Sequence, residues 1–203
     1  PDTEALLLPI ADGGEGTIST LITAKGGRLI HHKTNNPSFK EIETTFAILK
    51  DGQGVIEVAQ ASGLPLLTDE ERNPSLTSSL GTGQQILEAL NLGVKSFIIG
   101  LGGSATNDGG IGILHTLGYR FHDNSGKELK PIGQNLIHIH TISDEKKVQF
   151  PKDVQFRLAV DVTNPLFGTK GAAHVFAPQK GANKKMVDQL DKGLQNFHRV
   201  SCD

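Results

Sequence analysis

The chain has 203 residues, 36% hydrophobic and 21% charged, with a formal net charge of −2. That length can bury a substantial core, and so small a charge excludes the strong basic field that nucleic acid or an anionic membrane would require. The longest apolar runs, 5–10 and 97–101, fall far short of a bilayer span. The lone Cys202 excludes an internal disulfide and a cysteine-built metal site, so a reducing, cytoplasmic setting is expected.

The apolar run at 5–10 reads as a buried strand. The loop Ala11-Asp12-Gly13-Gly14 follows, then an amphipathic helix carrying Ile18, Leu21 and Ile22, closed by Gly26-Gly27. Three strand-like stretches, 28–33, 41–49 and 54–59, are separated by the turn signals Asn35-Asn36-Pro37 and Asp51-Gly52. Without helices between them they predict an antiparallel or mixed sheet. Alternation then returns: a helix over 83–92, a strand over 94–101, a helix over 107–117 and a short strand over 119–122. The polar stretch 132–147 carries no clear period. A strand over 156–162 and a helix over 183–200, with Met186, Leu190, Leu194 and Phe197 on one face, complete the pattern. The expected class is α/β with a strand-rich insertion, arranged as two lobes about a cleft. A first residue other than Met, and a helical pattern still running at the last residues, point to a piece of a longer protein.

The 24 glycines cluster rather than spread. Asp12-Gly13-Gly14-Glu15-Gly16 and Asp108-Gly109-Gly110-Ile111-Gly112 each follow a strand and open a helix. That arrangement presents free backbone N–H groups and a positive dipole end to a phosphate or carboxylate. An aspartate there either caps the helix or points outward to hold Mg²⁺ or take a hydroxyl proton. Between the strand at 94–101 and the next helix lies Gly102-Gly103-Ser104-Ala105-Thr106-Asn107-Asp108, richer in small polar groups than a cap requires. Ser104, Thr106 and Asn107 offer donors, and the glycines let oxygens approach the main chain. The run is neither a P-loop nor a Rossmann fingerprint. Asp161, after the strand Leu158-Ala159-Val160, is placed for Mg²⁺ or a substrate hydroxyl, or for an ordinary Asn-Pro turn. Lys180, in a glycine turn, is a candidate to offset phosphate charge. The candidate catalytic residues are thus Asp12, Asp108 and Asp161, with the choice of base open. The candidate binding residues are Gly13, Gly14, Gly102, Gly103, Ser104, Thr106, Asn107 and Lys180.

In this order, Pro9-Ile10-Ala11-Asp12-Gly13-Gly14-Glu15-Gly16-Thr17, Gly81-Thr82-Gly83, Gly102-Gly103-Ser104-Ala105-Thr106-Asn107-Asp108-Gly109-Gly110, Asp161-Val162-Thr163-Asn164-Pro165 and Pro178-Gln179-Lys180-Gly181 resemble the type I glycerate kinases. The resemblance implies a flavodoxin-like domain with a second α/β domain inserted into it and the site between them. Residues 1–34 would belong to the first domain and 35–203 mostly to the second. It further implies transfer of a phosphoryl group from ATP, with Mg²⁺ brought by the nucleotide, to D-glycerate, yielding 2- or 3-phosphoglycerate. Members of that family extend beyond both ends of this chain, so truncation is expected. Two alternatives are a non-catalytic anion- or nucleotide-binding module and a kinase for another small hydroxy acid.

Overall fold

A computed structural model of the chain describes residues 10–202. Its frame is a mixed sheet of five strands in the order β1-β2-β3-β4-β7. These strands are β1 (Gly27–Asn35), β2 (Glu41–Leu49), β3 (Gly54–Glu57), β4 (Ser96–Gly100) and β7 (Gln155–Ala159). β1, β2 and β3 run antiparallel as a meander, whereas β3, β4 and β7 are parallel. The strand-only stretch of sequence therefore supplies the antiparallel half, and the alternating stretch supplies the parallel half. β5 (Arg120–His122) and β6 (Thr141–Ser143) form a separate antiparallel pair.

The helices are α1 (Thr17–Lys25), α2 (Val58–Ser62), α3 (Leu80–Asn91), α4 (Ile111–Thr116), α5 (Ala172–Phe176) and α6 (Lys184–Cys202). Adjacent residues of β2 bury different faces: Phe46 joins Ile56, Ile86, Ala89 and Phe97 in one core, while Ala47 joins Ile18, Leu49 and Val55 in another. Alternation at period 2 thus places α1 and α3 on opposite sides of the sheet. A third core gathers Val187, Leu190, Leu194 and Phe197 of α6 with Ile111, Phe121 and Leu136. Each such side chain, fully buried, contributes roughly 1.5–3 kcal/mol. Among the described residues no helix is long and apolar enough to cross a membrane.

Several boundaries differ from the sequence expectation. The strand expected over 54–59 stops at Glu57, and Val58 begins α2. The helix expected over 107–117 starts only at Ile111, because Gly109 and Gly110 hold φ of 60° and 79° and interrupt the helical path. The strand expected over 156–162 ends at Ala159, and α3 begins at Leu80 rather than residue 83. The stretch 132–147 folds as a 3₁₀ turn over Gly133–His138 followed by β6, and α5 was not anticipated. The strand expected over 5–10 lies, apart from Ile10, outside the described residues. The division expected between residues 34 and 35 falls inside β1, where Thr34 and Asn35 still pair with Ile42 and Glu41.

Gly81 shows how the helices close on the sheet. A Cβ there would collide with the carbonyl oxygen of Asn35 and lie 3.2 Å from the Ala61 Cβ. Its absence lets the α3 backbone meet the β1 main chain and the Ala61 side chain of α2. Gly81→Ala should destabilise the chain by about 2 kcal/mol or more, since the obstacle is main chain and cannot rotate away. Urea unfolding measures this, and a midpoint equal to the parent's would contradict it.

Candidate active site

The parallel strands bring their C-terminal ends level. Glu57 of β3 pairs with Gly100 of β4, and Gly100 pairs with Ala159 of β7. Loops leaving such an edge surround the crevice where ligands of open α/β sheets sit. The turn of residues 12–16 rests directly on this edge. The Gly13 carbonyl accepts the Gly102 N–H at 3.1 Å, and Leu101 N–H donates to the Ala159 carbonyl at 3.2 Å. A Cβ on Gly13 would strike the Ala159 carbonyl, one on Gly100 would strike the Gly13 carbonyl, and one on Gly102 would lie 2.7 Å from the Gly14 Cα. These glycines are therefore filled by backbone, not by a guest. They bring the Asp12 and Gly102 turns into one neighbourhood.

The two Asp-Gly-Gly segments, alike in sequence, fold into different surroundings. Asp12 is exposed, and its Oδ1 accepts the Gly14 N–H at 2.8 Å. Asp108 is 2% exposed. Its Oδ2 accepts from Ser79 N–H and Oγ, both at 2.8 Å, and from Gly112 N–H at 3.2 Å, while Oδ1 accepts from Gly110 N–H at 3.2 Å. The Asp108 carboxylate thus ties α3 to α4, whereas the Asp12 carboxylate faces solvent. α1 opens at Gly16 with φ 93° and has no side-chain cap of its own. Glu57, 2% exposed, provides one from across the fold: its Oε1 accepts the Ile18 N–H at 2.7 Å.

The loop 103–108 is held from three sides. Leu64 N–H donates to the Gly103 carbonyl at 2.9 Å and Ala105 N–H to the Ser62 carbonyl at 2.8 Å. Thr77 Oγ1 donates to the Ala105 carbonyl at 3.0 Å. From beneath, Lys180 Nζ donates to Ser104 Oγ at 2.9 Å and to the Thr106 carbonyl at 2.7 Å. Lys180 is 7% exposed, and burial pushes its ammonium down to about 8, partly opposed by the Asp108 charge. Asn107 is also buried, and its Nδ2 has no partner within the protein. Asp161 is exposed, two residues past the end of β7 on the same sheet edge, and Asn164 Nδ2 binds the Lys170 carbonyl at 3.0 Å.

Glu57 and the hydroxyls of Thr77 and Ser79 are the members of this assembly that sequence reading missed. A carboxylate closing the buried run Val55-Ile56, and three hydroxyl residues in succession ahead of a helix, were the available signals. Among the described residues no three His, Cys, Asp or Glu side chains gather at metal-binding spacing. A cavity of about 250 Å³ between Leu87, Val94 and Phe150, and one of about 480 Å³ beside His138 and His140, lie outside this crevice.

The folded pKa of Lys180, about 8, lies below the ordinary 10.5. Between those values the unfolded chain keeps a proton that the folded chain has released, so this residue makes stability rise with pH. Relative to Lys180→Met, the parent should gain about 1 kcal/mol per pH unit over that window. Urea unfolding of both at pH 8, 9 and 10 measures it; parallel profiles would refute a buried, depressed ammonium.

A family model described as the glycerate kinase family matches residues 1–203. Similar proteins include a glycerate kinase of Haemophilus influenzae, 45% identical over 202 residues (99% of this chain and 53% of that protein). A glycerate kinase of Bacillus subtilis is 44% identical over 198 residues (97% and 52%). The glycerate 2-kinase of Escherichia coli is 42% identical over 201 residues (98% and 53%). A crystal structure from Salmonella typhimurium LT2 assigned as glycerate kinase 2 superposes with a TM-score of 0.91 at 39% identity, covering 95% of this chain and 52% of that one. The chain spans about half the length of the curated relatives it matches. With its glycine turns gathered at the parallel edge of its sheet and a match along its whole length, this chain belongs to the glycerate kinase family.

Proposed function

We propose that the protein carrying this chain transfers the γ-phosphoryl group of ATP to a hydroxyl of D-glycerate, and that the Asp12 and Ser104 turns form part of the site. The observation that carries this reading is the backbone contact between those turns, Gly13 carbonyl to Gly102 N–H, in a chain of this family. Phosphoryl transfer rests on positioning and charge neutralisation more than on a protein nucleophile, and a sheet edge bordered by closely packed glycine turns and two exposed carboxylates suits it. Asp12 retains Oδ2 free of the hydrogen bond that engages Oδ1. It is the better candidate to orient or deprotonate the accepting hydroxyl, with Asp161 a second exposed carboxylate following β7. Mg²⁺ takes one or two carboxylates together with phosphate oxygens and water, so the same two residues fit the ion brought by ATP, where it would neutralise phosphate charge.

Asp108 and Lys180 take other roles in this proposal. With four donors on its carboxylate, Asp108 holds the loop rather than accepting a substrate proton. Lys180, spent on Ser104 and Thr106, shapes the loop from below rather than meeting phosphate directly. Asn107, with its buried amide unpartnered, together with Gly103 and Thr106, is assigned to the anionic part of the guest. The two-lobed arrangement and a cytoplasmic location belong to the same proposal for the whole protein.

ADP release coupled to glycerate addition, measured on the full-length protein, tests the reading. Substrate-dependent ADP is expected, whereas binding without turnover would favour a non-catalytic module. Lactate, tartrate and glycerol in parallel report whether both the carboxylate and the neighbouring hydroxyl are needed. Asp12→Asn and Asp161→Asn should each lower kcat about 100-fold or more with the fold intact. Asp108→Asn should instead cost about 1–3 kcal/mol of stability, because an amide cannot accept from all four donors. Unchanged kcat in both of the first two variants would remove these residues from the proposal.

A further inference from the structure

We infer that Glu57 is a positioning residue, the anchor that sets the Asp12 turn at its working height above the sheet edge. The inference rests on the proposed kinase reading but starts from a separate observation. The 12–16 turn leads directly into α1, whose first residues bond back to the Gly14 and Gly16 carbonyls but whose N-terminal amides have no side-chain cap from the turn itself. Its N-cap is Gly16 at φ 93°, a left-handed position where a Ser, Thr or Asp cap would be strained. The orphan N–H of Ile18 is taken instead by Glu57 Oε1 at 2.7 Å, from a residue 39 positions away in sequence.

Glu57 is itself well fixed. It is the last residue of β3, paired with Gly100, whose missing Cβ makes room for the Gly13 carbonyl. Its Oε2 accepts from Gln60 Nε2 at 3.2 Å, and its backbone forms the N-cap of α2. The carboxylate thus lies between two helix starts, where a negative charge is favoured. One side chain joins β3, α1 and α2 directly below the turn that presents Asp12. A buried carboxylate is costly unless its oxygens are bound, and both are bound here by groups that fix geometry. The deeper reading is a separation of tasks: glycines let the turn approach the sheet closely, and Glu57 replaces the local cap that those glycines cannot provide.

Reach and charge are separable by substitution. Glu57→Gln keeps an oxygen at the same distance from Ile18 N–H, whereas Glu57→Asp keeps the charge and is one methylene too short. In the full-length protein, Glu57→Asp should lower kcat about 10–100-fold through misplacement of Asp12, with the KM for ATP within about 3-fold of the parent. Glu57→Gln should recover kcat to within about 3-fold, because the acceptor is restored. Hydrogen exchange provides a readout independent of activity. The Ile18 amide should exchange about 10-fold faster or more in Glu57→Asp, with β3 and β4 protected as in the parent, and should be restored in Glu57→Gln. A parent that shows no glycerate-dependent turnover but does show this exchange pattern would overturn the kinase reading and leave the anchor standing. Ile18 exchange unchanged in Glu57→Asp would overturn the anchor. So would a Glu57→Gln variant with a protected α1 start and a kcat as low as that of Glu57→Asp. If Glu57→Asp fails to fold, the glutamine variant decides: retained protection and turnover support the anchor, and loss of either one overturns it.

Discussion

The Gly13 carbonyl touches the backbone of β4, and most of the assembly follows from that contact. Carbonyl and amide groups can meet at this distance only where no Cβ intervenes, which is why Gly13, Gly100 and Gly102 face one another at the sheet edge. Because β3, β4 and β7 are parallel and in step, their loops emerge at one level, and the 12–16 turn is pressed onto them at the edge where ligands of open α/β sheets sit. Move that turn outward by the width of a methyl group and Asp12, the start of α1 and the Gly102 loop no longer share a neighbourhood. The constraint is steric before it is electrostatic.

A second layer of interactions keeps the crevice walls in place, and nearly all of it is buried and polar. Asp108 collects donors from two helices, Lys180 fastens Ser104 and Thr106, and Glu57 fastens α1. Each of these side chains would be expensive to bury alone, and each is accepted because its partners, main-chain groups, hydroxyls or the Gln60 amide, lie at hydrogen-bond distance. The acidic and basic members also compensate one another, since the Asp108 charge opposes the depression of the Lys180 ammonium. Charged residues near the crevice therefore fall into two kinds. Those turned inward, Glu57, Asp108 and Lys180, shape the loops, while Asp12 and Asp161 remain in contact with solvent.

Much of the frame was legible in the residues. The strand-like stretches located β1 and β2, the Asn-Asn-Pro and Asp-Gly signals located their turns, and the apolar spacing of Leu190, Leu194 and Phe197 located α6. The errors concentrate where tertiary contacts override local preference. Glu57 is the last residue of β3 and its side chain caps α1, and α4 starts late because Gly109 and Gly110 adopt left-handed angles, Gly109 facing Phe197 and Leu194 of α6. Gly81 and Gly83, conspicuous as motif glycines, are packing positions where α3 meets β1 and α4.

By itself, the sequence determined the class of the fold, the places where the chain turns, and the clustering of glycine and small polar residues after strands, because periodicity and backbone permissiveness are local properties. It also carried the family likeness. Only the tertiary structure decided which of two nearly identical Asp-Gly-Gly turns faces water. It likewise decided that Lys180 lies under the loop instead of in the crevice, and that Glu57 reaches across 39 positions to cap a helix with no cap of its own. Burial and hydrogen-bond partnership are properties of what packs against a residue, and Ser79 on Asp108, Ile18 on Glu57, and Ser104 and Thr106 on Lys180 are all distant in sequence.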